Sequence, residues 1–233
     1  MSTFVPSTII CPCGEHYVVE VANGLHISLR PDVRQQLLDG TFHRFSCPAC
    51  ARTTMLDALL AFTDFPRRQW FTIAPSTGLP WRRRWLAIAE RGFETTMVTH
   101  APALVVDMSR DMTRRLMFGL AALREKLITF DAGLDDRVIE LLKIQLIRDL
   151  RGTFSPADYF HLVEVGDAEL RFEKTHADGI IRPIAVPRPM YAALAAHPDI
   201  EAMIQQAFPE GVLFDHRAIL APHATDDSPT PGA

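Results

Sequence analysis

The residues with the clearest capacity for chemistry are Cys11, Cys13, Cys47 and Cys50, which are all the cysteines of the chain and fall within its first fifty residues. They form two short runs, Cys11-Pro12-Cys13-Gly14 and Cys47-Pro48-Ala49-Cys50, with 33 residues between Cys13 and Cys47. Thiolates from two tight turns can surround one Zn2+ tetrahedrally, with each sulfur about 2.3 Å from the metal. Proline and glycine let each turn fold so that both sulfurs point inward. The first run is one residue shorter than a CxxC knuckle, which demands a tighter turn. His16 and His43 flank the knuckles and could substitute for a cysteine that cannot reach. Lone histidines in such places are more often surface or supporting groups than ligands, so the expected set is the four cysteines. A site closed by four cysteines keeps no open position, and its expected role is structural. Two other readings of the same residues are four inert buried thiols and a thiol-redox pair at Cys47 and Cys50.

Composition bounds what such a site could serve. Of 233 residues, 48% are hydrophobic and 22% charged, which excludes a disordered, collagen-like or fibrous chain. Four cysteines are too few for a disulfide-dense scaffold. The formal charge of -4 provides no global positive field to gather nucleic acid. The amino terminus lacks a basic n-region, and no window holds the roughly 18 consecutive apolar residues of a membrane helix. A cytoplasmic protein without membrane contact is expected, and there close cysteine pairs bind metal more often than they form disulfides.

The elements that must hold the cysteines read as an α+β protein. The alternation around Tyr17, Val19 and Val21 predicts a strand leaving the first knuckle and turning at Asn23-Gly24. Pro31 and Asp32 start a helix that Gly40 ends, and Phe42 to Phe45 lead as a short strand into the second knuckle. Met55 to Ile73 predict two strands around a turn at Phe65-Pro66-Arg67, followed by a loop at Pro75 to Pro80. Trp81 to Phe93 have helical spacing, with Arg82, Arg83, Arg84 and Arg91 toward solvent.

A short strand at Arg115 to Phe118 precedes a helix over 120–130, whose Arg124, Glu125 and Lys126 are expected to face away from the core. Asp135 and Asp136 cap the next helix, over 135–150. At about 100 degrees per residue, Val138, Ile139, Leu142, Leu146 and Leu150 form its stripe. Leu141, Ile144 and Ile147 fall outside that stripe, so the helix either lies between two layers or offers a face to another chain. Strands at 160–165, 169–174 and 180–186 form a small meander with turns at Gly166-Asp167 and Ala177-Asp178-Gly179. Helices near 189–196 and 200–208 close the ordered chain. The expected organisation is a zinc-ribbon-like β module over 1–80, a helical part over 81–152, an α+β segment over 153–223 and a disordered tail over 224–233.

No other motif competes with the knuckles. Arg82-Arg83-Arg84 between Trp81 and Trp85 could contact phosphates while the indoles stack on bases, although such a run is more often a solvated helix face. Capping accounts for Asp135, Asp136 and Glu140. Ser76-Thr77-Gly78 lacks phosphate-loop spacing, and there is no nucleophile elbow or dinucleotide fingerprint. His161, His176, His216 and His223 have no metal-ligand spacing and read as ordinary residues.

The knuckles, the segment Pro31 to Gly40, the stretch Asp57 to Pro75 and the run from Leu123-Arg-Glu-Lys-Leu-Ile128 through Leu134 to Lys143 together resemble the bacterial CpXC family, over about residues 8–150. Cys47 to Cys50 matches the family's Cys-Pro-X-Cys motif, and Cys11 to Cys13 departs from it by one residue. The resemblance implies a zinc-binding domain with no established activity. The expected function is a non-enzymatic zinc protein that binds another protein, or itself, through the 135–150 helix. The alternatives are a nucleic-acid accessory protein using the ribbon and Arg82 to Arg84, and a thiol-redox enzyme.

Overall fold

The computed structural model describes residues 2–149, 159–175 and 181–220. The turn at Ala177-Asp178-Gly179, His176, His223 and the expected tail lie outside them. The architecture is α+β, in two compact units: residues 1–78 with 83–120, and residues 79–82 with 121–233.

The first unit is built on a five-stranded sheet. Strands β1 (Thr3–Ile10) and β2 (His16–His26) form an antiparallel hairpin. After helix α1 (Pro31–Asp39), strands β3 (Arg44–Ser46) and β4 (Thr53–Met55) form a second, separate hairpin. Strands β5 (Leu60–Asp64), β6 (Gln69–Ala74) and β7 (Thr113–Phe118) complete the main sheet in the order β1-β2-β5-β6-β7. β2 runs parallel to β5 and β6 parallel to β7, so the sheet is mixed. Every residue of β6 is buried, as expected of a strand covered on both faces. Phe62 and Phe71 stack across the β5–β6 pair with ring centroids 5.3 Å apart.

Helix α1 starts at Pro31 and stops where Gly40 takes φ 67°, as its sequence predicts. Asn23-Gly24 does not turn the chain. β2 continues through it because Gly24 pairs with Thr3 on one side and Ala61 on the other. A Cβ at Gly24 would stand 2.7 Å from Thr3 Oγ1, so the glycine permits close strand approach rather than a hairpin turn.

Residues Ser76–Trp81 form a 3-10 turn rather than an irregular loop. Helix α2 (Arg82–Phe93) passes into a π-helical turn at Glu94–Thr99, and helix α3 (Ala103–Ser109) precedes β7. The Trp85 indole lies directly over Gly78, where a Cβ would fall 2.5 Å from Nε1. Gly78→Ala is therefore expected to cost about 1–3 kcal/mol by overpacking. Denaturant unfolding followed by tryptophan fluorescence would measure this, and an unchanged midpoint would refute it.

The second unit contains helices α4 (Leu120–Asp131, from Ala121 onward) and α5 (Asp136–Asp149). Strands β8 (Tyr159–Val165), β9 (Glu169–Thr175) and β10 (Ile181–Pro187) form the expected antiparallel meander. Helices α6 (Arg188–Ala195), α7 (Ile200–Ala207) and α8 (His216–Leu220) follow. Its apolar core joins Ile139, Leu142 and Leu146 of α5 to Phe160, Leu162, Leu170 and Phe172 of the meander. Among the described residues, no helix is long and apolar enough to cross a membrane.

Candidate metal centre

Each cysteine run is the tip of a hairpin. The β1–β2 ladder ends at the pair Ile10–His16, leaving residues 11–15 as the turn. The β3–β4 ladder ends at Ser46–Thr53, leaving residues 47–52. In the first tip the Cys11 N–H donates to the Glu15 carbonyl and the Gly14 N–H donates to the Cys11 carbonyl, each at 2.8 Å. In the second, the Cys47 N–H donates to the Arg52 carbonyl and the Ala51 N–H to the Cys47 carbonyl, each at 2.9 Å. Both hydrogen bonds of the first tip span one residue fewer than those of the second. The missing residue of the Cys-Pro-Cys run is thus absorbed by a tighter version of the same turn. Gly14 at φ 93° and Ala51 at φ 57° both take positive φ to close it.

These turns bring the four sulfurs together. Cys11 Sγ lies 3.6 Å from Cys50 Sγ, and Cys13 Sγ lies 3.7 Å from Cys47 Sγ. All four sulfurs are within 4.8 Å of one another. Sulfurs bound about 2.3 Å from a tetrahedral ion, as in zinc-thiolate centres, stand about 3.8 Å apart. Disulfide sulfurs stand about 2.05 Å apart, and all four cysteines are free thiols. Cys11 and Cys47 are buried, while Cys13 and Cys50 reach the surface.

The electrostatics are those of thiols sharing protons. A backbone hydrogen bond at Cys13 favours the Cys11 thiolate, but burial and the three neighbouring sulfurs outweigh it and push this thiol up to about 12. At Cys47 burial acts upward, and the N–H groups of Cys50 and Ala49 with the Cys11 and Cys13 sulfurs bring the thiol down to about 7. Four thiols in mutual contact cannot all ionise without a cation among them, and a divalent metal is the cation such donors suit.

Neither flanking histidine joins the cluster. His43 is buried at φ 57°, its Nε2 accepts a hydrogen bond from the Ala22 N–H at 2.9 Å, and its ring stacks on Phe42. Its lone pair is used in fixing the second hairpin near β2. His16 is exposed and stands outside the group of converging sulfurs.

A second cluster was not legible as such. Glu125 and Lys126 do not face solvent; they are 2% and 3% exposed, and with Asp136, Glu140, Lys143, Asp215 and His216 they form a buried ionic network. Lys143 Nζ lies 2.6 Å from Glu125 Oε1 and 2.9 Å from Glu140 Oε1. Lys126 Nζ reaches Glu140 Oε1 at 3.1 Å and Asp136 Oδ2 at 3.2 Å. Capping therefore does not account for Asp136 and Glu140, and His161 and His216 are not the ordinary residues their spacing suggests. His161 Nδ1 meets Glu125 Oε2 at 2.8 Å, and His216 gives both its backbone N–H and Nδ1 to Glu140 Oε2 at 3.0 Å.

Glu140, Asp215 and His216 have the proximity of a metal triad. Their donor atoms are already committed, however. Glu140 accepts from two ammonium groups and from His216, while both Asp215 oxygens are held by Arg217. A metal would have to displace three cations, so this network is an internal clamp. The signal in the sequence was angular: Asp136, Glu140 and Lys143 share an arc of about 60 degrees beside the apolar stripe of α5.

The Arg82 to Arg84 run is also divided. Arg82 is 3% exposed, contrary to its expected solvent face, leaving Arg83 and Arg84 on the surface. The Trp85 indole is packed over Gly78 rather than freely presented for stacking.

The chain is thus an α+β protein carrying four convergent cysteines on two hairpin tips. It belongs to the CpXC family, whose model, described as CpXC protein, matches residues 9–143. No curated protein and no solved structure matches it.

Proposed function

We propose that this CpXC protein binds one structural Zn2+ through Cys11, Cys13, Cys47 and Cys50, and acts without catalysis as an interaction module in a bacterial cytoplasm. The observation that carries the metal reading is the convergence of the four sulfurs at 3.6 and 3.7 Å spacing. Four thiolates saturate a tetrahedral ion and leave no position for a substrate, so the metal's work is to lock the two hairpin tips together. Such an ion typically contributes on the order of 10 kcal/mol to folding.

The interaction reading is supported by α5. Leu141 and Ile144 lie away from its stripe; Leu141 is buried in the unit's own core, whereas Ile144 is only half-buried. That helix would contact another protein or a second copy of the chain. The nucleic-acid alternative is weakened by the burial of Arg82 and the packing of Trp85.

The deciding measurement is elemental analysis of desalted protein together with its visible spectrum. One zinc per chain without colour is expected. Metal-free protein, or iron with charge-transfer absorption, would overturn the metal assignment.

A further inference from the structure

The second unit carries an open groove of about 840 Å³ between α5, α6, α7 and α8. Its apolar walls include Leu141 and Ile144 of α5, Met190 and Leu194 of α6, Met203 of α7 and Ile219 of α8. Leu141 and Ile144 are two of the three residues that the stripe of α5 leaves over. Met190 is 39% and Ile219 45% exposed, so the walls present apolar surface to water. Two of these side chains are methionines, whose unbranched, polarizable thioethers adapt to a partner's shape.

The polar lining is one-sided. Arg148, Gln145, His197 and Gln206 are its polar lining, and among the described residues no carboxylate lines it. Arg148 is exposed on the last turn of α5 and has no ion-pair partner among the described residues. The groove therefore combines an apolar floor with an exposed cation, Arg148, at its rim. This is the complement of an amphipathic helix that has carboxylates beside its apolar stripe.

We propose that this groove docks an acidic amphipathic helix of another protein, with apolar side chains at i, i+3 or i+4, and i+7 seated between α5 and α7 and a flanking Asp or Glu paired with Arg148. The proposal rests on the interaction reading above and narrows it to one surface and one class of partner.

The test is selection of binders from a random 16-residue peptide library displayed on phage, using the zinc-replete full chain as bait. Affinities of the enriched peptides would then be measured by fluorescence anisotropy. Enriched peptides are expected to share the apolar helical spacing and a net negative charge. They should bind Arg148→Glu at least 10-fold more weakly, and Ile219→Asp similarly, with both variants retaining the wild-type circular dichroism spectrum. Binding to Arg83→Ala should be unchanged.

Absence of enrichment, enrichment of basic or extended peptides, or indifference to both groove substitutions would overturn the proposal. So would binding that appears only after residues 221–233 are removed, or a stable dimer that buries the groove, because the occupant would then be this chain. A cellular partner that still co-purifies with Arg148→Glu would sink the groove and leave the interaction reading standing. Loss of the zinc assignment would leave the groove untouched.

Discussion

Replacing Cys47 with serine is expected to reduce bound zinc from one per chain to nearly none and to unfold the two hairpin tips. Cys47 is 2% exposed, and its sulfur faces Cys13 across the gap between hairpins. The strands β3 and β4 have three residues each, too few to hold a hairpin in water without further support. One support is His43, which ties the same hairpin to β2; under the proposed zinc reading the ion is the other. The loss should approach the scale of a structural zinc, on the order of 10 kcal/mol when all of the ion's binding energy is removed. Elemental analysis and amide hydrogen exchange would read the two parts of the effect separately. Full zinc occupancy in Cys47→Ser, or unchanged exchange in β3 and β4 after chelation, would contradict the structural role. Cys13→Ser should behave alike although Cys13 is exposed, because a tetrahedral site depends on ligand number rather than on burial.

The second large effect is expected at Lys143. Its ammonium bridges Glu125 and Glu140 at 2.6 and 2.9 Å in a setting where all three side chains are below 5% exposure. Lys143→Met deprives both carboxylates of that cation, and breaking a buried pair in this way costs about 3–5 kcal/mol. The double variant Lys143→Met with Glu125→Gln should recover part of the loss, since one stranded charge is removed with its partner. Equal stability of the single variant and the wild type in denaturant would show that the network carries no such energy.

The same network predicts acid sensitivity. Burial pushes the Glu140 carboxyl up, but Lys126, Lys143 and His216 together outweigh it and hold it well below the usual range. Glu125 and Asp215 are lowered in the same sense, by Lys143 and by Arg217 respectively, against the opposing effect of burial. Their stabilisation is present above the unfolded carboxylate range near pH 4 and is lost as pH falls through the folded values. Burial, with Lys143, also lowers His216. The unfolded chain therefore takes up that proton first, and stability declines from about pH 6.5 downward. Denaturant midpoints between pH 7 and pH 3 should fall monotonically, and the slope should be shallower in Glu140→Gln. A midpoint that rises on acidification would refute the sign.

Local chemistry made much of this protein legible in its sequence. The cysteine knuckles, the α1 boundaries at Pro31 and Gly40, the β5–β6 turn, the helices α4 and α5 and the three-stranded meander all follow from residue type at short spacing. Turn closure, capping and periodic burial act within a few residues, and they operate before the chain collapses. The family resemblance rests on the same runs.

Only the tertiary structure decided what depends on partners distant in the chain. Asn23-Gly24 has the composition of a turn, yet it lies within β2 because Thr3 and Ala61 flank it. Glu125, Lys126 and Arg82 carry charges that sequence reading places in water, yet all are buried. For Glu125 and Lys126 the compensating charges stand on α5, and His161 of β8 hydrogen-bonds Glu125. The sequence by itself determined four thiols and the turns that present them. The tertiary structure decided that those thiols meet, because two cysteine pairs with 33 residues between Cys13 and Cys47 must be brought to within about 4 Å of each other. No local preference acts over that distance; the packing of the whole first unit does.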